Sequence, residues 1–237
     1  MNPDRRTAMV AGVLFLVTEV AAIGGLVLQR PALGAAGRVL GPGAESRVFL
    51  GVLCEVVLVV AVVGTGVALY PVLRRRSEGL ALGYVCGRLL EAAVITVGIL
   101  GVLSVVTLRR DLAGAADTAP LAAAVRGLVA LHEWTFLLGP NIALGLNTLL
   151  LAYLMYRTGL VPRFVAVLGL VGGPLICASA VAVMFGLYPQ LSGPGSAAAV
   201  PVFAWEVALA ARLVTRGFEP STARAAHTGR VAPAPQH

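Results

Sequence analysis

The sequence predicts an all-α integral membrane protein, a bundle of six transmembrane helices, on three observations. Hydrophobic residues make up 58% of the 237 positions and charged residues 12%, whereas a soluble domain carries about a quarter charged residues; the mean hydropathy is +0.90. The apolar residues gather into six runs, each long enough to cross a hydrocarbon core of about 30 Å. The arginines concentrate in the short stretches between these runs, as they do in loops at a membrane surface.

The first run, from about Ala8 to Leu28, follows Arg5 and Arg6. Two arginines before an apolar stretch also describe a secretory leader. Here Glu19 interrupts the apolar core and no small-x-small cleavage site follows, so a retained helix is expected. The second run, about Val48 to Tyr70, is closed by Pro71; the third, about Leu80 to Thr107, is closed by Arg109, Arg110 and Asp111. The fourth is long, about Ala122 to Tyr156, with Pro140 at its middle. Proline removes one helical hydrogen bond, here leaving the Phe136 carbonyl without its usual partner, so a kink is expected. The fifth, about Pro162 to Leu187, carries a break at Gly172-Gly173-Pro174, and the sixth, about Ala197 to Val214, has Pro201 in its first turn, where it is harmless. Residues 1–217 therefore form the membrane domain. Residues 218–237 are rich in Ala, Pro, Arg and Thr without apolar periodicity, and read as a disordered basic tail.

The net charge of +7 comes entirely from arginine on the basic side, since the chain has no lysine. Arginines scattered over loops do not make the single basic face that nucleic acid needs, so no nucleic-acid partner is expected. Arg5, Arg6, Arg74, Arg75, Arg76, Arg157, Arg163, Arg212, Arg216, Arg224 and Arg230 fall on one side of a six-span topology. Only Arg30, Arg38, Arg47, Arg109, Arg110 and Arg126 fall on the other. The positive-inside rule then places both termini in the cytoplasm, in a bacterial cytoplasmic membrane. Cys54, Cys86 and Cys177 all lie within spans and read as small buried hydrophobes rather than a disulfide framework. No local ligand pair supports a metal site from Cys54, Cys86 and His132, so neither a metal nor a cofactor is expected.

Ionisable groups inside the spans are the informative feature. Glu19, Glu55, Arg88, Glu91, Glu133 and Glu206 all fall there, where charge is costly and persists mainly when it faces the protein interior. At about 1.5 Å per residue, Glu19, Glu55, Glu91 and Glu206 fall in one middle layer, with Glu133 nearer the outer side. Arg88 and Glu91, three apart, share a helix face and are expected to pair. One arginine cannot neutralise five carboxylates, and a carboxylate buried without a counter-charge takes up a proton. The fourth span is polar over a wide arc: at about 100° per residue, Asn147 and Asn141 flank Glu133 by about 40° and 80°, with His132 about 100° away. Trp134 points with Asn141, and Trp205 precedes Glu206. The candidate catalytic residues are thus Glu55, Glu91, Glu133 and Glu206, and the candidate binding residues Glu19, Arg88, His132, Trp134, Asn141, Asn147 and Trp205.

Four segments resemble a bacterial family of multi-pass membrane proteins called domain of unknown function 4386. They are Leu69-Tyr70-Pro71-Val72-Leu73-Arg74-Arg75-Arg76, the Arg88-x-x-Glu91 helix, His132-Glu133-Trp134-x-Phe136, and Ala152-Tyr153-Leu154-Met155-Tyr156-Arg157-Thr158-Gly159-Leu160-Val161-Pro162-Arg163. The resemblance implies a membrane helical bundle and brings no activity with it. From the residues themselves, two functions use titratable groups in an apolar site. One is a membrane-embedded enzyme using glutamate acid/base chemistry on a lipid-like, isoprenoid-type substrate. The other is a proton-coupled carrier of a small solute. A noncatalytic membrane partner, with the polar groups acting as interhelical glue, needs no titration. The expected partners are the lipid bilayer and a hydrophobic small-molecule ligand.

Overall fold

The computed structural model describes residues 3–33, 44–112 and 119–219. The helices are α1 (Pro3–Leu33), α2 (Ala44–Leu73), α3 (Glu78–Leu112), α4 (Ala119–Leu137), α5 (Leu144–Thr158), α6 (Arg163–Met184) and α7 (Gly193–Thr215), with a π-helical turn Leu138–Ala143 joining α4 to α5. Counting α4, the π turn and α5 as one, six spans are long and apolar enough to cross a membrane, so the all-α membrane bundle holds. We call the end where α1 begins and α7 finishes the near face, and the opposite end the far face.

The spans outrun the apolar runs by a turn or so, because a run ends where polar residues begin while the helix continues into them. α1 reaches Leu33 and α3 reaches Leu112. Pro71 does not close α2, which continues to Leu73; a proline in the last turn sacrifices one bond where the helix is ending anyway. The expected break at Gly172-Gly173-Pro174 is absent. α6 runs unbroken through it to Met184, and Gly186 then turns the chain with φ +74. Those glycines serve packing instead: a Cβ at Gly173 would stand 2.6 Å from the Gly145 carbonyl oxygen, and one at Gly172 would stand 2.7 Å from Val202 N. Small residues there let α5, α6 and α7 cross with their backbones nearly touching. At Pro140 the expected distortion takes the form of the π turn, which absorbs the missing donor by widening the helix over one turn.

The helices close a ring: α1 packs on α2, α2 on α3, α3 on α4 and α5, α5 on α6, α6 on α7, and α7 on α1. α4 leans on α3 and scarcely meets α6 or α7, so the far half of the wall is thin between them. The near half is solid, filled by Phe15, Leu69, Leu73, Met155, Leu209 and Leu213. Arg5 fastens the ring by donating to the carbonyls of Leu213, Val214 and Thr215 at 2.8, 2.6 and 3.0 Å. Beyond α7, Phe218 packs on the core and Glu219 meets Arg212 at 2.5 Å, so the first two residues of the expected tail are held in place. Residues 220–237, with His227 and His237, lie outside the described residues.

Candidate functional site: an acidic cavity inside the bundle

A cavity of about 740 Å³ occupies the far half of the ring. Its floor is a polar cluster about midway along the bundle. Arg88 NH1 donates to both Glu91 oxygens at 3.0 and 3.3 Å, and NH2 reaches Glu206 Oε1 at 3.4 Å. Nε donates to the Tyr84 hydroxyl at 3.1 Å. The guanidinium also lies over the rings of Phe15 and Tyr84, at 5.4 and 5.5 Å from their centroids, so its faces meet π density while its edges meet oxygens. Arg88, Glu91 and Glu206 are all almost wholly buried. The pairing expected from the three-residue spacing is therefore present, and extended to a second carboxylate from α7.

Asn147 completes the cluster by donating Nδ2 to Glu91 Oε2 at 2.9 Å. Its approach depends on Gly87, where any Cβ would overlap Asn147 Oδ1. Glu19, on α1, lies beside Glu206 in the cavity lining. Glu55 stands apart from this floor. It faces Gln29 across the α1–α2 contact, yet Glu55 Oε2 and both ends of the Gln29 amide complete no hydrogen bond.

Of the residues singled out in the sequence, Glu19, Glu55, Arg88, Glu91, His132, Glu133, Trp134, Asn141 and Glu206 line the cavity. His132 lies against Gly98 of α3 with Nδ1 unpartnered. Glu133 and Trp134 are exposed on α4, where the wall is thin. Asn147 supports the floor from behind Glu91. Trp205 is 1% exposed, packs over Gly169 in the near-half core, and is not part of the cavity lining. The cysteines do not gather: Cys86 is exposed on the outside of the bundle, while Cys54 and Cys177 lie at different helix contacts. Gln29 was missed by the sequence reading because it falls one residue past the apolar run ending near Leu28. Phe15 carries no sequence signal for its place over Arg88.

The fold and the cavity define a polytopic membrane protein with a mainly apolar chamber, floored by charged groups, sunk into one half of its bundle. Residues 10–217 match the family model described as Domain of unknown function (DUF4386), and the chain belongs to that family. No curated protein and no solved structure matches it.

Proposed function

We propose that this protein is a membrane-embedded acid–base enzyme acting on an unsaturated, lipid-like substrate. The observation behind this reading is the Glu19–Glu206 carboxyl pair on the floor of a mainly apolar cavity, with Glu206 tethered by Arg88. Two carboxyls sharing one apolar site do not both ionise, and with Glu206 already paired to Arg88 the proton of the pair is carried by Glu19. An acid kept in an apolar site is a recognised route to proton transfer at neutral pH.

Glu19 delivers that proton to a carbon–carbon double bond. The π pair becomes the new C–H bond and positive charge develops on the neighbouring carbon, near the faces of Trp134 and Phe136 in the cavity wall. The carboxylate left behind removes a proton from an adjacent carbon, the double bond migrates, and the acid is restored without a co-reactant. Glu91, engaged by Arg88 and Asn147, serves to hold Arg88 in place. Exposed Glu133 and Trp134 sit at the thin wall beside α4, where an apolar molecule would enter from the bilayer. The arginine asymmetry makes the near face cytoplasmic, so the chamber belongs to the outer half of a bacterial cytoplasmic membrane.

Incubating the purified protein with the polyisoprenoid fraction of a bacterial membrane in D2O tests this. Mass spectrometry should find deuterium carbon-bound in a lipid with the wild type and none with Glu19→Gln. Equal labelling by both proteins, or none by either, would remove the acid–base reading. A carrier using the same carboxyls needs a second opening, and the packed near half provides none in this conformation.

A further inference from the structure

The chamber carries charge at its mouth as well as on its floor. Arg30, in the last turn of α1, lines it, is exposed, and makes no ion pair among the described residues. Arg47, in the first turn of α2, is likewise exposed and without an ion pair among the described residues. It stands close to the level of Arg30, because Gly51, one turn along α2, packs against Leu28 and Gln29 of α1. Glu45, at the same end, is taken up by Arg110 at 2.7 Å. Two guanidiniums at the far rim therefore stay open to an anion.

We propose that this rim holds the phosphate of an unsaturated lipid whose chain lies in the chamber, so that the distance from Arg30 to the floor selects the double bond that reacts. This rests on the reading that the cavity takes a lipid-like substrate. Arg30 is eleven residues from Glu19 on α1, about 16 Å along the axis, which an extended chain covers in about 13 atoms. The wall between them is apolar, with Ala22, Ile23 and Leu26 of α1, Leu58 of α2 and Ile95 of α3, while Gln29 and Glu55 turn to each other. A phosphate kept at the rim thus puts an internal double bond beside the Glu19–Glu206 pair and leaves the one nearest the head out of reach. Two lipid chemistries carry a double bond at that distance from phosphorus: a polyprenyl monophosphate, in its third or fourth unit, and a phospholipid with a double bond midway along an acyl chain.

Charge decides where the head stays. The planar fork of arginine matches phosphate oxygens, and on the orientation proposed above the far rim lies at the outer surface of the membrane, the level of lipid phosphates. Glu133 lies deeper than the rim, since the adjacent His132 packs on Gly98, fourteen residues before the end of α3 at Leu112. It is exposed beside the thin wall, and its like charge keeps a phosphate from sliding down that side. Arg88 offers no competing site, because Glu91 and Glu206 engage it. A neutral head would leave the rim arginines with water alone, and an ammonium group would be repelled by them.

Binding of geranylgeranyl phosphate and of dioleoylphosphatidylglycerol to the purified protein, each set against its phosphate-free counterpart, geranylgeraniol or dioleoylglycerol, tests the proposal. A phosphate lipid should bind about tenfold or more tightly than its counterpart, and the pair that shows the larger preference identifies the source. Arg30→Gln should weaken that phosphate lipid about tenfold and leave its counterpart unchanged, with Arg47→Gln acting in the same direction. Equal binding within both pairs by the wild type would overturn the proposal, as would a phosphate preference that survives the two substitutions combined. A lower ligand-free melting temperature for Arg30→Gln with the preference intact would make Arg30 a membrane anchor only, and would overturn it too. In a lipid deuterated by the wild type the label should sit at an internal double bond; a label at the double bond next to the head would contradict the spacing argued from Arg30. Glu19→Gln should keep the phosphate preference, so the two readings fail separately. Absent deuterium transfer with an intact preference sinks only the acid chemistry, and transfer to a phosphate-free lipid without any preference sinks only this site.

Discussion

Arg88 is the residue on which the interior turns, because every other member of the floor is placed by reference to it. Truncating one partner of a buried ion pair typically costs about 3–5 kcal/mol, since the remaining charges stay buried. Arg88→Ala should therefore abolish or sharply lower the yield of folded protein. Arg88→Lys should fold with a lower melting temperature: it keeps the charge but loses the fork that reaches Glu91, Glu206 and Tyr84 together. Equal melting temperatures for all three proteins would show the network to be dispensable. A gentler probe is Gly87→Ala, whose methyl would displace Asn147. That should cost about 1–2 kcal/mol by freeing the bond to Glu91, read as a lower midpoint of thermal unfolding. The Arg88–Glu91 pair was legible in the sequence because helical spacing alone sets it. The partition of the glutamates was not legible, since depth along a span leaves rotation and neighbour undetermined. Equal depth was expected of Glu55 and Glu91, yet α2 meets Arg88 at Gly66, eleven residues from Glu55, so one carboxyl lies by Gln29 above the floor and the other in it beside Arg88.

At the scale of the elements, helix contacts explain where sequence signals misled. Gly172-Gly173-Pro174 has the composition of a break, yet its glycines lie where α6 is squeezed between α5 and α7, and in a membrane such residues as often mark a close crossing as a bend. Gly173→Val would drive its side chain into the Gly145 carbonyl and should separate α5 from α6. Loss of a monodisperse peak in size-exclusion chromatography is the expected result; a folded variant of unchanged melting temperature would mean the crossing is looser than drawn. Arg5 acts at the seam between α1 and α7. Its three bonds satisfy carbonyls at the end of α7, where a helix leaves acceptors open and the dipole favours a cation. Arg5→Ala should cost about 1–3 kcal/mol and raise proteolytic nicking at the near end of α7 above that of the wild type.

For the whole molecule, six apolar runs with short loops between them already imply alternating spans. The number of helices and their directions could accordingly be read without coordinates. Ring closure could not: nothing in the sequence says that α7 returns to α1, or that α4 leans on α3 and leaves the far wall thin. Those facts set the chamber in the far half with the packed half beneath it, and they yield a prediction that the glutamate positions alone do not. In a background with Cys54, Cys86 and Cys177 replaced by alanine, Ala22→Cys lines the chamber, whereas Leu209→Cys sits in the packed near half at 0% exposure. A small water-soluble thiol reagent should modify the first when applied from the far face. It should fail from the near face, and should not modify the second from either. Reporter fusions at the C-terminal end and between α3 and α4 should meanwhile report opposite sides, with the C-terminal end cytoplasmic. Because the solid half is built from interdigitated Phe15, Leu69, Met155 and Leu213, opening it would separate the largest apolar cluster among the described residues. Modification of Ala22→Cys from the near face would show that this happens, and would favour the carrier reading over the proposed enzyme.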